Sequence, residues 1–192
     1  MDQNVRTPLA ASVKPNQGTR RIEIKTQLIN QKNKSFKEFE VNLTAQSVEN
    51  LTINIQQEIH VRASVDATFA ALLEQLGPES DTPDGNKMPM KIEAWPGGRW
   101  YRDLGDGNGH FWAVVQAIKR PTLLEFAGPL FMSYPVASNV QYRLSQADGG
   151  TLIKFHHTAF GLILDEHKTG VVKGWTHING RARDRAEGRS SR

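Results

Sequence analysis

At 192 residues the chain suits one domain plus an extension, with enough length to bury a sizeable core. It contains no cysteine, which excludes disulfides, thiolate metal sites and cysteine nucleophiles and fits a reducing compartment. The formal net charge of +4 belongs to the ends: residues 1–50 hold eight Lys/Arg against five Asp/Glu and residues 181–192 five against two, whereas 51–180 hold eleven against thirteen. Nucleic acid would need a basic face on the folded body, so it is not an expected partner.

No apolar run approaches the roughly 20 residues that span a bilayer, and the first residues lack the apolar core of a secretory signal. A cytoplasmic protein is expected, in which the Asn-Leu-Thr sequons at Asn42 and Asn50 carry no meaning.

Residues 1–20 are polar and read as disordered. The partly alternating segments 22–28 and 36–43 could pair only as a loose hairpin, so 1–50 is taken as an N-terminal extension. From Leu51 to Val61 apolar and polar residues alternate, which predicts a half-buried strand. The period then changes. Val65, Phe69, Leu72, Leu73 and Leu76 fall on one face of a helix, with Ser64 as its N-cap and Gly77-Pro78 as its end. Residues 78–89, with three prolines, form a loop.

Strands are then predicted at about 90–95, 98–104, 109–119, 122–127, 137–146 and 150–159. Their links are short, which makes neighbours antiparallel. Gly105-Asp106-Gly107-Asn108-Gly109 and Ala147-Asp148-Gly149-Gly150 supply hairpin turns, and Pro121 separates two strands. The first of these glycine-rich stretches lies between strands rather than before a helix, so it is no phosphate loop. A long helix begins near Asp165, with Val171, Trp175, Ile178 and Ala182 on one face and Gly170, Gly174 and Gly180 weakening it. The fold class is α+β, a single antiparallel sheet whose apolar face this last helix must cover.

That order resembles the START-like (SRPBCC) superfamily with its helix-grip fold, and within it the branch related to the C-terminal domain of the activator of heat-shock-protein-90 ATPase. The resemblance rests on INIQQEIHVRASVDATFAALL at 53–73, Gly97-Gly98-Arg99-Trp100, Gly105-Asp106-Gly107, Ile118-Lys119-Arg120-Pro121-Thr122-Leu123 and GGTLIKFHHTAFG at 149–161. It spans residues 51–187 and leaves 188–192 as a basic tail. It implies a curved sheet gripping the C-terminal helix around a cavity, and three kinds of function. These are binding of a small hydrophobic or aromatic ligand, a chaperone-cofactor-like protein-interaction module, and a polyketide cyclase-like enzyme. It implies no cofactor and carries over no catalytic residue.

Alternation assigns faces. Ile153, Phe155 and His157 share one face of their strand, with Lys154 and His156 on the other. Adjacent strand residues point opposite ways, so His156 and His157 cannot chelate a metal together, and no metal site is expected. Phe126, Tyr142 and, from a strand over 109–117, Phe111 face inward with Trp112 outside; a β-bulge would reverse any such assignment beyond it. The expected pocket is thus lined by Trp100, Phe111, Phe126, Tyr142 and Trp175, with Arg102, Tyr142 and His157 as its polar groups. Leu130, Phe131, Met132 and Tyr134, apolar residues in a loop, read as a lid over that pocket or as an interface with a protein partner or second copy.

Overall fold

The computed structural model describes residues 51–130 and 135–189. The 1–50 extension with its expected hairpin, Phe131, Met132 and Tyr134, and residues 190–192 lie outside the described residues. The elements are β1 (Thr52–Val61), α1 (Val65–Leu76), β2 (Lys91–Ile92), β3 (Arg99–Gly105), β4 (Asn108–Lys119), β5 (Leu123–Gly128), β6 (Val136–Ala147), β7 (Gly150–Gly161) and α2 (Asp165–Ala186). The strands form one curved seven-stranded sheet in the order β1-β7-β6-β5-β4-β3-β2, antiparallel at each junction.

Local chemistry accounts for most boundaries. Ser64 caps α1, its Oγ accepting from the Ala67 N–H at 3.2 Å. Two tight turns sit where the glycines predict them: Asp106-Gly107 (φ 51° and 75°) joins β3 to β4, and Asp148-Gly149 (φ 46° and 74°) joins β6 to β7. Paired positive φ angles match the right-handed twist of the flanking strands. The strand expected over 90–95 is cut to β2, because Pro96-Gly97 turns the chain and brings Gly98 N–H to the Trp95 carbonyl at 2.9 Å.

The concave face carries the core: Ile153, Phe155 and His157 on β7, Val140, Tyr142 and Leu144 on β6, Leu124 and Phe126 on β5, and Trp100 on β3. Helix α1 contributes Phe69, Leu72 and Leu76, and α2 contributes Val171, Trp175, Asn179 and Ala182. Asn179 takes the place expected for Ile178, which is only half-buried.

One carboxylate ties the two helices. Asp81, in the loop after α1, accepts from Gln75 Nε2 at 3.1 Å and from Arg181 Nη2 at 2.7 Å, and lies 2.9 Å from His177 Nε2. Burial alone would raise its pKa, but these three partners outweigh that and hold it below the usual carboxylate value. Asp81→Ala is expected to cost about 2 kcal/mol, because it strands a buried amide and a half-buried guanidinium. Chemical denaturation at neutral pH measures that loss.

The N-terminal half of α2 is held to the sheet through buried Val171 and Trp175 and carries two glycines. A Cβ added at Gly170 or Gly174 would meet nothing within 4 Å. Gly170→Ala and Gly174→Ala are therefore each expected to stabilise the protein by about 1 kcal/mol through helix propensity alone, read as a rise in thermal midpoint. No helix of the described residues is long and apolar enough to cross a membrane.

Candidate ligand site between sheet and helix

The residues between the concave face and α2 form an aromatic layer. Trp100 stacks on Phe126 with ring centroids 5.0 Å apart and meets Trp112 edge-on at 5.0 Å. Trp175, reaching down from α2, lies 4.8 Å from Phe155, 6.4 Å from Trp100 and 6.5 Å from Tyr142. These rings touch one another, so the layer is closed where they meet.

Most polar atoms in the layer have a definite partner. Trp100 Nε1 donates to the Leu76 carbonyl at 2.7 Å, capping the last turn of α1. The Tyr142 hydroxyl donates to Asn179 Oδ1 at 2.9 Å, and Asn179 Nδ2 donates to Gln57 Oε1 on β1 at 2.7 Å. Burial pushes the Tyr142 phenol well above its usual pKa, so it stays neutral. Trp175 Nε1 donates to His157 Nδ1 at 3.0 Å. Burial, with a smaller contribution from neighbouring His156, lowers the His157 pKa to about 4. Its Nε2 is buried and has no hydrogen-bond partner among the described residues.

Five of the expected lining residues, Trp100, Phe126, Tyr142, His157 and Trp175, are brought together here. Two are not. Phe111 is 49% exposed, and Trp112 takes the inward position at 8%. The cause is a register shift in which Trp100 pairs with Ala113 but Tyr101 pairs with Phe111, leaving Trp112 as the extra residue of a bulge. Arg102 lies farther out along the same hairpin. It lines an open groove of about 470 Å³ with His110 and Phe111, away from His157 and Tyr142. Leu130, expected in a lid or interface, is buried, its N–H donating to the Trp112 carbonyl at 2.8 Å.

Two contributors, Trp112 and Asn179, were not expected in the layer, and Phe155, faced inward by alternation, is the ring nearest Trp175. A second groove, of about 560 Å³, runs between β1 and α2 past Gln57, Thr176 and Asn179. His156 points to the opposite face, its Nε2 2.8 Å from Asn54 Oδ1. Among the described residues no three His, Asp or Glu side chains group as metal ligands.

Solved structures share this architecture. Ara h 8.0201 superposes with a TM-score of 0.52 at 17% identity, covering 70% of this chain and 97% of its own. A protein of Rhizobium leguminosarum gives 0.55 at 18% identity, covering 72% and 96%. The di-domain ARO/CYC protein StfQ of the steffimycin biosynthetic pathway gives 0.52 at 12% identity, covering 73% of this chain and 51% of its own. At such identities the likeness establishes the helix-grip fold and nothing finer. No curated protein matches the sequence. The family model described as "Activator of Hsp90 ATPase homolog 1-like protein" matches residues 62–181, from the end of β1 through most of α2, and the chain belongs to that family.

Proposed function

We propose that the protein binds a small hydrophobic or aromatic molecule between the concave sheet face and α2. The observation that carries this reading is the aromatic layer lying under a helix loosened by Gly170 and Gly174. Because the rings touch, a ligand enters by parting Trp175 from Phe155 and Tyr142, a movement that the helix weakening at Gly170 and Gly174 makes less costly. Affinity comes from apolar burial, roughly 25 cal/mol per Å² before ordering costs. A cyclase-like reaction would need a second ionisable group converging on His157, but the nearby Tyr142 hydroxyl is committed to Asn179.

The test is native mass spectrometry on protein from its own host, followed by denaturation and small-molecule analysis. A reproducible apolar ligand, lost in Trp100→Ala or Tyr142→Ala variants that remain folded, supports the reading. Bare protein that exists as a dimer or with a second polypeptide supports a protein-interaction module instead. One feature favours that second reading: Phe160, Leu162, Leu164 and Val172 are all exposed around the β7–α2 junction. In either case we place the protein in the cytoplasm.

A further inference from the structure

We propose that His157 and Ser138 form the polar end of the ligand site, and that together they select a neutral molecule carrying a hydrogen-bond-accepting oxygen, such as an aryl ketone, a quinone or a phenol. This rests on the ligand-binding reading above and narrows it to a chemical class.

The indole N–H of Trp175 can only donate a hydrogen bond. It points at His157 Nδ1 at 3.0 Å, so Nδ1 must present its lone pair. A neutral imidazole then carries its proton on Nε2. The cationic form would set an Nδ1–H head-on against the indole N–H, so the same contact that fixes the tautomer also keeps the ring neutral. What remains is a buried Nε2–H donor with no acceptor among the described residues, on a residue 0% exposed. Buried polar groups are very rarely left in that state, and each instance calls for an explanation.

A second unsatisfied group lies on the same face. Ser138 is 8% exposed, and its buried Oγ also lacks a partner among the described residues. In the sheet register Val140 lies opposite His157 and Ser138 opposite Ala159, so Ser138 is one diagonal step from His157 on the same concave face. The row they border carries little bulk: Ala159 on β7, and Gly128 opposite Ser138 on β5.

The pair offers one obligate donor and one hydroxyl that can donate or accept. That matches a carbonyl or phenol oxygen. It does not match a carboxylate or phosphate, since no Lys or Arg is among the buried residues to balance the charge.

Three probes of one shape separate the possibilities: 2-acetylnaphthalene, 2-ethylnaphthalene and 2-naphthoate, each titrated against the full chain by equilibrium dialysis. The ketone is expected to bind about tenfold more tightly than the hydrocarbon, with naphthoate weakest and the bound carbonyl stretch moved to lower frequency. Ser138→Ala, a small change that leaves the Trp175–His157 bond untouched, is expected to shrink the ketone's advantage severalfold. Equal binding of ketone and hydrocarbon with an unshifted carbonyl would overturn the polar end while leaving an apolar site intact. Failure of all three probes to saturate would remove the ligand-binding reading and this proposal with it. The tautomer is checked without any ligand by nitrogen NMR of His157: a proton on Nδ1, or on both nitrogens at neutral pH, would also overturn the proposal.

Discussion

Trp175→Ala is expected to lower the unfolding free energy by about 3–5 kcal/mol, the range for removing a large buried aromatic from a packed core. The ring is 2% exposed and is the aromatic side chain through which α2 meets the sheet. Its loss removes contacts with Phe155, Trp100 and Tyr142 at once. It also leaves His157 Nδ1 without its donor, an added cost of burying an unsatisfied acceptor. Little of the rest of α2 compensates, because its other buried residues are Val171, Ala182 and the polar Asn179. Trp175→Phe keeps part of the ring and loses only the hydrogen bond and some volume, so it should fall between Ala and the unaltered protein. Urea unfolding followed by far-ultraviolet circular dichroism reads all three. A loss below about 1 kcal/mol for the alanine variant would mean that the layer is loosely packed and that room for a ligand exists before any helix movement.

How much of this was legible in the residues depends on how each position announces itself. Turns announce themselves chemically: Asp106-Gly107 and Asp148-Gly149 take the positive φ angles that few other pairs adopt, so strand order and antiparallel pairing could be read directly. His157 could be faced inward because Lys154 marks the other side of β7. In β4 the same logic had nothing to work with. Phe111, Trp112 and Ala113 are all apolar, so alternation cannot say which residue is the extra one, and the phase slipped by one at the bulge. Arg102 lies on that same hairpin and was assigned to the pocket on the same reasoning. For Leu130 the sequence offers a lid or an interface, and only the structure shows its side chain buried and its N–H on the Trp112 carbonyl. Asp81 is the clearest case of information absent from local sequence. Its partners on α2 are about a hundred residues away, His177 by 96 and Arg181 by 100, and no periodicity links them.

Between pH 6.5 and pH 4 His157 alone is expected to remove about 3 kcal/mol of stability. The sign follows from which state takes up the proton. The unfolded chain binds it near the ordinary histidine value of 6.5, whereas the folded protein resists until about 4 because the ring is buried. Below 6.5 the unfolded state therefore holds more protons, and stability falls as pH falls, levelling off once the folded form protonates as well. Asp81 acts in a separate window. Its folded pKa is held below 3.8, so its contribution is complete above that value and is lost only as pH drops further. His157→Gln isolates the histidine, because the amide oxygen can still accept from Trp175 Nε1 but does not titrate over this range. Unfolding free energies measured at half-unit steps from pH 7 to pH 4 should fall more steeply for the unaltered protein than for the Gln variant. The curves should part near 6.5 and run parallel again near 4. Coincident curves would mean that His157 protonates in the folded state as readily as in the unfolded one. The Trp175 N–H could not then be holding Nδ1 bare, and the donor at Nε2 would lose its basis.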